Sequence, residues 1–515
     1  MRTEKGNYAN HFTVILGIAI LVNLGFYMLP DTILNIPIKK VDLLSDIRIP
    51  TEDDPSEYNL YAFSSDDEQG INSVISDSQA NQTNNPTISS DSVVPSVTTG
   101  STNLSANETA SQPDISTHSE TASSSESNNP TSGTAENQKN NSIDLVNTNI
   151  EDFSSGNDGL HRFFAALNNI DQLGRPVRIA FLGDSFIEGD IVVADFRAKM
   201  QAQFGGRGVG FVPITSVTAQ YRPTVKQSAS GWKTFSIIKD RNRKYVLSGV
   251  QFEPTSDNAS LQFQTVDMYP GLEEVSSLKF IYSKNEASDL IFKDENETLT
   301  YKLPPTEGVT QFEVNGSFKK GSLQIKNSKG LKAFGIALED NYGVVVDNFS
   351  LRGNSGIIMS DMDSESCRDL QQMRPYDLIV LQYGLNVASD SVREYSWYSN
   401  RMVVVIEHIQ NCFPGADILI LGVSDRSRNG RSTMPAVVSL LRAQRQLAVN
   451  TEVAFWSIFA AMGGQNSIIK YVDSNWASKD YTHLSFRGGR EIANALYDAI
   501  INNKGLYDSH ENGDY

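Results

Sequence analysis

The stretch that decides the fold is PVRIAFLGDSFIEGDIVVADFRAKMQAQFG, residues 176–205. Its first part, residues 177–182, is continuously apolar, and a Gly-Asp-Ser turn follows directly at 183–185. The remainder is typical of a helix that ends at Gly205. A short buried strand, a tight turn and a helix in this order predict the first unit of a parallel sheet that is covered by helices on both faces.

Later segments extend this pattern and also interrupt it. YDLIVLQYG (376–384) and ADILILGV (416–423) are further apolar strands, and predicted helices lie between and after them. Between about residues 217 and 351, short β-rich pieces are separated by polar or glycine turns, which is typical of a sandwich or jelly roll. The predicted fold is therefore a three-layer α/β domain, in which helices cover both faces of a parallel sheet. An all-β insertion interrupts this domain.

The N-terminal part has a different composition. Residues 12–29 form an uncharged apolar run, near the lower end of the roughly 17–25 residues that cross a bilayer as a helix. We predict a transmembrane signal anchor there, with residues 1–11 cytoplasmic because Arg2 and Lys5 precede the run. A cleaved signal peptide is the alternative. Residues 30–155 are predicted to be a disordered linker rich in Ser, Thr and Asn.

Composition excludes several classes of function. The net charge of the 515 residues is −18, which argues against nucleic-acid binding. Only two cysteines are present, Cys367 and Cys412, and this excludes a disulfide scaffold and a cysteine-rich metal site. We interpret them as separate buried thiols on different predicted helices, with a disulfide bridge as the alternative. No metal or other cofactor is predicted.

Four short segments contain residues suited to catalysis, and each follows a predicted strand or crosses above the sheet. They are Gly-Asp-Ser at 183–185, Gly-Asn-Ser-Gly at 353–356, Gly-Leu-Asn at 384–386 and Asp-Tyr-Thr-His at 480–483. Ligands bind at this edge in open α/β folds. Taken alone, each segment also has an ordinary structural interpretation as a turn or a helix cap.

His483 is the histidine best placed for acid–base chemistry among the six in the chain. Asp480 precedes it by three positions, which lets the carboxylate accept the Nδ1 proton and leaves Nε2 to take a proton from a serine. The other histidines lie near the apolar run, in the linker or tail, or in predicted helices: His11, His118, His510, His161 and His408.

Together and in this order, the four segments resemble the blocks of the SGNH hydrolases, also called GDSL esterases. The resemblance implies a flavodoxin-like hydrolase domain with Ser185 as nucleophile, His483 as general base and Asp480 as the carboxylate that orients the histidine. It also implies an oxyanion hole formed by the backbone N–H groups of Ser185 and Gly356 and the side-chain amide of Asn386.

Two details of these blocks remain open. Gly353 is the alternative to Gly356 as the second backbone donor. Val387 stands where the family often has an acidic residue after the asparagine.

A narrower resemblance covers the segment from the Gly-Asp-Ser turn to Val225. It is similar to the opening of envelope peptidoglycan O-acetylesterases, which carry a β-sandwich between the serine and glycine blocks. This resemblance implies a hydrolase domain at 156–215 and 346–505, with an inserted sandwich at 216–345 that is similar to a carbohydrate-binding domain. Its aromatic residues, such as Trp232, could form a platform for sugars, and the alternative is that they are the core of the sandwich. Residues 506–515 are predicted to be a polar tail. Phe186 departs from that subfamily, which commonly has His after the serine.

The expected function is that of a membrane-anchored serine esterase that faces the cell envelope and removes acyl groups, chiefly acetyl, from peptidoglycan or another polysaccharide. The expected partners are the acylated glycan and the membrane, with no nucleic acid and no obligate protein partner. Two alternatives remain: an acyltransferase or lipase that uses the same triad, and a non-catalytic envelope protein that binds glycan.

Overall fold

The computed structural model describes residues 32–33, 36–37 and 145–513. The predicted anchor at 12–29 and most of the predicted linker lie outside these residues. Within the described part of the chain, no helix is both long and apolar enough to cross a membrane.

The secondary structure of the described residues includes both strands and α-helices. The strands are β1 (Thr32–Ile33), β2 (Ile36–Pro37), β3 (Glu151–Asp152), β4 (Val177–Gly183), β5 (Gly210–Val212), β6 (Lys226–Ser230), β7 (Trp232–Ser236), β8 (Val250–Pro254), β9 (Ala259–Gln264), β10 (Val275–Asn285), β11 (Ser288–Lys293), β12 (Thr298–Leu303), β13 (Thr306–Phe318), β14 (Lys320–Lys326), β15 (Lys332–Glu339), β16 (Val344–Ser350), β17 (Leu378–Gln382), β18 (Asp417–Gly422) and β19 (Ala454–Ser457). The α-helices are α1 (His161–Asn168), α2 (Val193–Phe204), α3 (Ser364–Met373), α4 (Ser396–Cys412), α5 (Pro435–Thr451), α6 (Ile458–Ala461), α7 (Ser467–Asp473) and α8 (Phe486–Asn512).

The central sheet has the strand order β16-β4-β17-β18-β19-β3. The first five strands are parallel, and β4, the earliest of them in the chain, lies between β16 and β17. This is the flavodoxin-like order, in which the chain switches direction across the sheet at β4. The carboxyl ends of β16, β4, β17 and β18 therefore lie side by side along one edge of the sheet.

Helices cover the sheet in two layers. Alternate residues of the strands, such as Val380 and Leu421, share one buried cluster with apolar residues of α1, α2 and α8. The intervening residues, such as Ile379 and Ile420, are also buried but lie outside that cluster, because successive side chains of a strand point to opposite faces. Helix α4 packs against both α3 and α5, and α5 contacts β18. Burial on both faces explains why these strands are continuously apolar.

Both ends of the α/β domain lie beyond the limits expected from the sequence. Residues 145–155, expected to be linker, contain β3, which pairs antiparallel with β19. In the same segment the Thr148 carbonyl accepts a hydrogen bond of 2.9 Å from Trp456 Nε1. At the other end α8 continues to Asn512, because Tyr507 packs on Phe164 with ring centroids 5.6 Å apart. The expected boundaries at 155 and 506 are therefore wrong.

The insertion is a sandwich of two antiparallel sheets. Their orders are β13-β10-β15-β8-β7 and β12-β11-β14-β9-β6. Inward-facing side chains of both sheets, such as Phe280 and Phe292, form one buried core. Strand β5 pairs with β15, so residues 210–212 already belong to the sandwich although they precede the expected boundary at 216.

A buried ion network joins the sandwich to the central sheet. The Glu339 carboxylate at the end of β15 accepts hydrogen bonds from both Arg178 and Arg374, at 2.9–3.1 Å, and from Lys279 at 2.6 Å. Arg374 also donates to Asp347 at 2.9 Å. Burial alone would raise the pKa of Glu339, but the two arginines hold it well below its usual range. The charges on the two parts of the fold therefore neutralise one another.

Candidate active site

The strand order brings the four candidate segments to one edge of the central sheet. Strand β4 ends at Gly183, immediately before Asp184 and Ser185. Strand β16 leads into the turn at 351–356, and β17 leads into the turn at 383–387. The fourth segment lies in the loop before α8. Each side chain is thus held by a turn that is anchored to a buried strand or a long helix.

Ser185, His483 and Asp480 lie in a continuous hydrogen-bonded line. The distance from Ser185 Oγ to His483 Nε2 is 3.1 Å, and the distance from His483 Nδ1 to Asp480 Oδ2 is 2.6 Å. This is the arrangement in which a carboxylate fixes the imidazole tautomer and the imidazole can take the proton of a serine hydroxyl. The structure therefore brings together three of the residues expected from the sequence.

The Asp480 carboxylate is held in its ionised form. Its Oδ1 atom accepts hydrogen bonds from Ser478 Oγ at 2.5 Å and from the backbone N–H groups of Thr482 and His483 at 2.9 and 3.1 Å. Burial raises the pKa of this group, but the hydrogen bond and charge of His483 more than offset it and lower the pKa to about 2. Asp480 can therefore orient His483 and stabilise an imidazolium at any pH near neutrality.

The loop that carries Asp480 and His483 packs on a second loop, residues 424–434, which follows β18. Tyr481 lies between the two catalytic candidates and has a positive φ of 55°. Its carbonyl accepts a 3.1 Å hydrogen bond from the backbone N–H of Ser427. Gly430 lies against its ring, so closely that a Cβ there would be 2.6 Å from the nearest ring atom. The 424–434 loop therefore determines where Tyr481, and with it His483, can lie.

The two other expected oxyanion donors already donate to groups of the protein. Asn386 Nδ2 donates to Asp184 Oδ2 at 2.9 Å and to the Asn354 carbonyl at 3.0 Å. The backbone N–H of Gly356 donates to Asn354 Oδ1 at 2.8 Å. A substrate oxyanion that uses these donors must therefore share them with Asn354 and Asp184 or displace the oxygens of these two residues.

Asp184 was not expected to take part in the site. It is buried, its Oδ1 atom accepts from the Phe186 backbone N–H at 2.9 Å, and its Oδ2 atom accepts from Asn386. Burial raises its pKa to about 6, against the lowering effects of the Phe186 N–H and of His483. The signal in the sequence was its place inside the Gly-Asp-Ser turn, where a carboxylate next to a buried strand end has little access to water.

The structure distinguishes Gly356 from Gly353. Gly356 has a φ of 91°, and a Cβ there would be 2.9 Å from the Tyr383 ring. Gly353 also has a positive φ, but no atom lies within 4 Å of its Cβ position. Only Gly356 is packed into the site and linked through Asn354 to Asn386.

Three further residues, Trp232, Asp425 and Arg426, have structural contacts away from the hydrogen-bonded line. Trp232 Nε1 donates to the Ser260 carbonyl at 2.9 Å, and its ring packs against the sandwich core. Asp425 is buried and accepts from the Ile468 backbone N–H at 3.0 Å. Arg426 donates to the Leu385 carbonyl at 3.3 Å.

The two cysteines are free and buried on different helices, Cys367 on α3 and Cys412 on α4, which confirms the interpretation of them as separate buried thiols. Residues 145–513 contain no group of three or more His, Cys, Asp or Glu side chains that could hold a metal ion.

Comparison with known proteins supports the description of the fold. No protein-family model matches the chain, and none of the curated proteins matches it either. Among solved structures, a peptidoglycan O-acetylesterase has a TM-score of 0.56 and 21% identity, covering 69% of this chain and 99% of that chain. The fold is that of the SGNH hydrolases. This confirms the resemblance inferred from the four segments.

Other solved structures match the chain with lower scores. A family two carbohydrate esterase from Cellvibrio japonicus has a TM-score of 0.24 and 12% identity, covering 55% of this chain and 98% of that chain. A GDSL-like lipase from Parabacteroides merdae ATCC 43184 has a TM-score of 0.26 and 16% identity, covering 30% of this chain and 72% of that chain.

Proposed function

We propose that the chain is a serine esterase that hydrolyses acyl esters, chiefly O-acetyl esters, on peptidoglycan or another polysaccharide. The observation that supports this most directly is the line Ser185 Oγ, His483 Nε2, His483 Nδ1 and Asp480 Oδ2, with distances of 3.1 and 2.6 Å at its two hydrogen bonds. A nucleophile, a base and an orienting carboxylate in this geometry are the requirements for catalysis through an acyl-enzyme.

In the first half of the reaction, Ser185 Oγ attacks the ester carbonyl while His483 Nε2 takes its proton. The carbonyl oxygen becomes an oxyanion, which the backbone N–H groups of Ser185 and Gly356 and the amide of Asn386 stabilise. The tetrahedral intermediate then collapses. The bond to the sugar oxygen breaks, and His483 gives its proton to that oxygen, which leaves as an alcohol.

In the second half, a water molecule attacks the acyl-enzyme. His483 takes a proton from the water, and a second oxyanion forms at the same donors. When this intermediate collapses, Ser185 Oγ leaves with the proton from His483, and the free acid is released. Asp480 stays ionised throughout because its pKa is about 2.

The substrate class rests on two further observations. The solved structure with a TM-score of 0.56 is a peptidoglycan O-acetylesterase. In this chain the sandwich lies between β4 and β16, so it is inserted between the strand that leads to Ser185 and the strand that leads to Gly356. We also propose that residues 12–29 anchor the chain and that the catalytic domain faces the envelope, which would place the enzyme beside such a polymer.

Release of acetate tests this proposal. The purified full chain is incubated with O-acetylated peptidoglycan and, separately, with aryl esters of increasing acyl length, and the free acid is measured. We expect acetate release and a preference for acetyl over long acyl chains. Ser185→Ala should abolish release, since it removes the nucleophile. If Ser185→Ala retains activity, the assigned nucleophile is wrong, and a preference for long chains would favour a lipase.

A further inference from the structure

The 424–434 loop has an unusual charge for this protein. It contains Arg426, Arg428 and Arg431 within six residues, whereas the whole chain has a net charge of −18. Its one acidic residue, Asp425, is buried and accepts hydrogen bonds from the Ile468 backbone and from Ser467. Burial also raises the pKa of Asp425. The exposed part of the loop is therefore cationic.

This loop lies between the two segments that form the candidate site. On one side, the backbone N–H of Ser427 donates to Tyr481, and Gly430 contacts the Tyr481 ring, two positions before His483. On the other side, Arg426 donates to the carbonyl of Leu385, the residue before Asn386. The loop therefore borders the site on the sides of both His483 and Asn386.

Two of the arginines are available to a ligand. Arg428 pairs with Asp390 at 3.3 Å, but the side chains are 59% and 52% exposed, and such pairs contribute little because water screens them. Arg431 is exposed and forms no ion pair with any residue in the described part of the chain. A guanidinium group presents a planar pair of donors that matches the two oxygens of a carboxylate.

We propose that Arg428 and Arg431 bind carboxylate groups of the substrate, so that the preferred substrate is an acylated glycan that carries carboxylates close to the ester. This inference rests on the proposed esterase function and specifies its substrate class. Neutral acylated glycans would lack the groups that these arginines bind.

Two preparations of one glycan test the inference. O-acetylated peptidoglycan is used with its carboxylates intact and after their conversion to neutral amides, so that the two polymers differ only in charge. For the natural chain we expect the KM of the neutral polymer to be about fivefold higher, and this ratio should fall towards one in high salt. In the variant Arg428→Gln/Arg431→Gln we expect the ratio to be close to one in low salt as well.

A charge-matched control is available on the sandwich. Lys302 and Lys320 are exposed and lie on β12 and β14, so Lys302→Gln/Lys320→Gln removes the same charge elsewhere and should keep the natural ratio. Equal KM values for the two polymers in the natural chain, or an unchanged ratio in the arginine variant, would overturn the inference while leaving the esterase function intact.

Binding without turnover separates the two hypotheses. Ser185→Ala is sedimented with each insoluble polymer, and the bound fraction is measured with and without the arginine changes. If the natural chain releases no acetate from any ester, the proposed function fails. The sedimentation assay still supports the inference if Ser185→Ala prefers the carboxylated polymer, and it overturns the inference if binding to the two polymers is equal.

Discussion

Asn354 links two of the three expected oxyanion donors, Gly356 and Asn386, although it is not itself one of the residues expected in the site. Its side-chain oxygen accepts from Gly356, and its backbone oxygen accepts from Asn386. It is 1% exposed, so these contacts are shielded from water. Because Asn354 accepts from both groups, a movement of its turn would free the Gly356 N–H and one N–H of the Asn386 amide together, while Asn386 keeps its hydrogen bond to Asp184.

Removal of the Asn386 amide should have a large effect on turnover. We expect Asn386→Ala to lower kcat for an aryl acetate by about 100- to 1,000-fold, the usual effect of losing one oxyanion donor. The change also leaves Asp184 with one partner fewer, so the melting temperature should fall modestly. Asn450→Ala, an exposed change on α5, is the control and should keep kcat. An unchanged kcat in Asn386→Ala would remove Asn386 from the proposed mechanism.

At the scale of elements, the two loops that meet at Tyr481 are the most constrained part of the site. Tyr481 has a φ of 55°, a conformation that costs energy for a residue with a large side chain. The 424–434 loop supports this conformation through Ser427 and through the close approach of Gly430. The position of His483 thus depends on a loop that follows a different strand.

Adding a methyl group at Gly430 tests this dependence. Gly430→Ala must displace the Tyr481 ring, and we expect kcat for an aryl acetate to fall by about 10- to 100-fold because His483 moves from its position. Gly174→Ala is a matched control: its φ is 67° against 65° for Gly430, but no atom lies within 4 Å of the Cβ position. Both variants should lose similar stability, and only Gly430→Ala should lose activity. Equal activity in the two would contradict this role of the loop.

The sequence predicted elements whose signal is local. Continuous apolar runs identified β4, β17 and β18, and the spacing of Asp480 and His483 indicated their hydrogen bond. It did not predict β3, because this strand has two residues, both acidic, and forms only against β19. The role of Asn354 was also hidden, since its partners are set by how two turns pack and not by its own neighbours in the chain.

On the scale of the whole molecule, the Glu339 network fixes the sandwich to the central sheet. We expect Glu339→Gln to lower the free energy of unfolding by about 3–5 kcal/mol, because Arg178, Arg374 and Lys279 would remain buried without their common counter-charge. Glu286→Gln removes one partner of the exposed Lys329–Glu286 pair. This control should change the free energy of unfolding by less than about 1 kcal/mol. Chemical denaturation measures both, and similar values would contradict the role assigned to the network.

The pH dependence of stability should reflect carboxyl groups whose pKa is raised by burial. The pKa of Asp184 is about 6 and that of Asp417 is about 7, against a usual value of 3.8. Such groups bind protons more tightly in the folded state, so their contribution is complete below pH 3.8 and is lost as the pH rises through 6 and 7. Asp480 acts in the opposite sense, but only at lower pH, because its pKa is lowered to about 2.

We therefore expect the free energy of unfolding to fall between pH 4 and pH 8, and Asp417→Asn to reduce this fall by roughly 2–4 kcal/mol. In the natural chain Asp417 Oδ2 accepts a hydrogen bond of 2.9 Å from the Phe163 backbone N–H, and the side-chain oxygen of the asparagine can still accept it. Urea denaturation at several pH values measures the slope. A variant with the same slope as the natural chain would show that Asp417 does not titrate in this range.

The insertion also dictates an order of events during synthesis. Strand β4 pairs with β16, as in Val177 with Val344, and the whole sandwich is translated between them. When the nascent chain leaves the ribosome, β4 has none of its parallel neighbours, whereas β6 to β14 can already begin to pair with one another. The apolar segment from α1 to α2 therefore stays without its partner strands until the rest of the sheet has been translated. Until then, chaperones or its own collapse must keep its apolar side chains from aggregating.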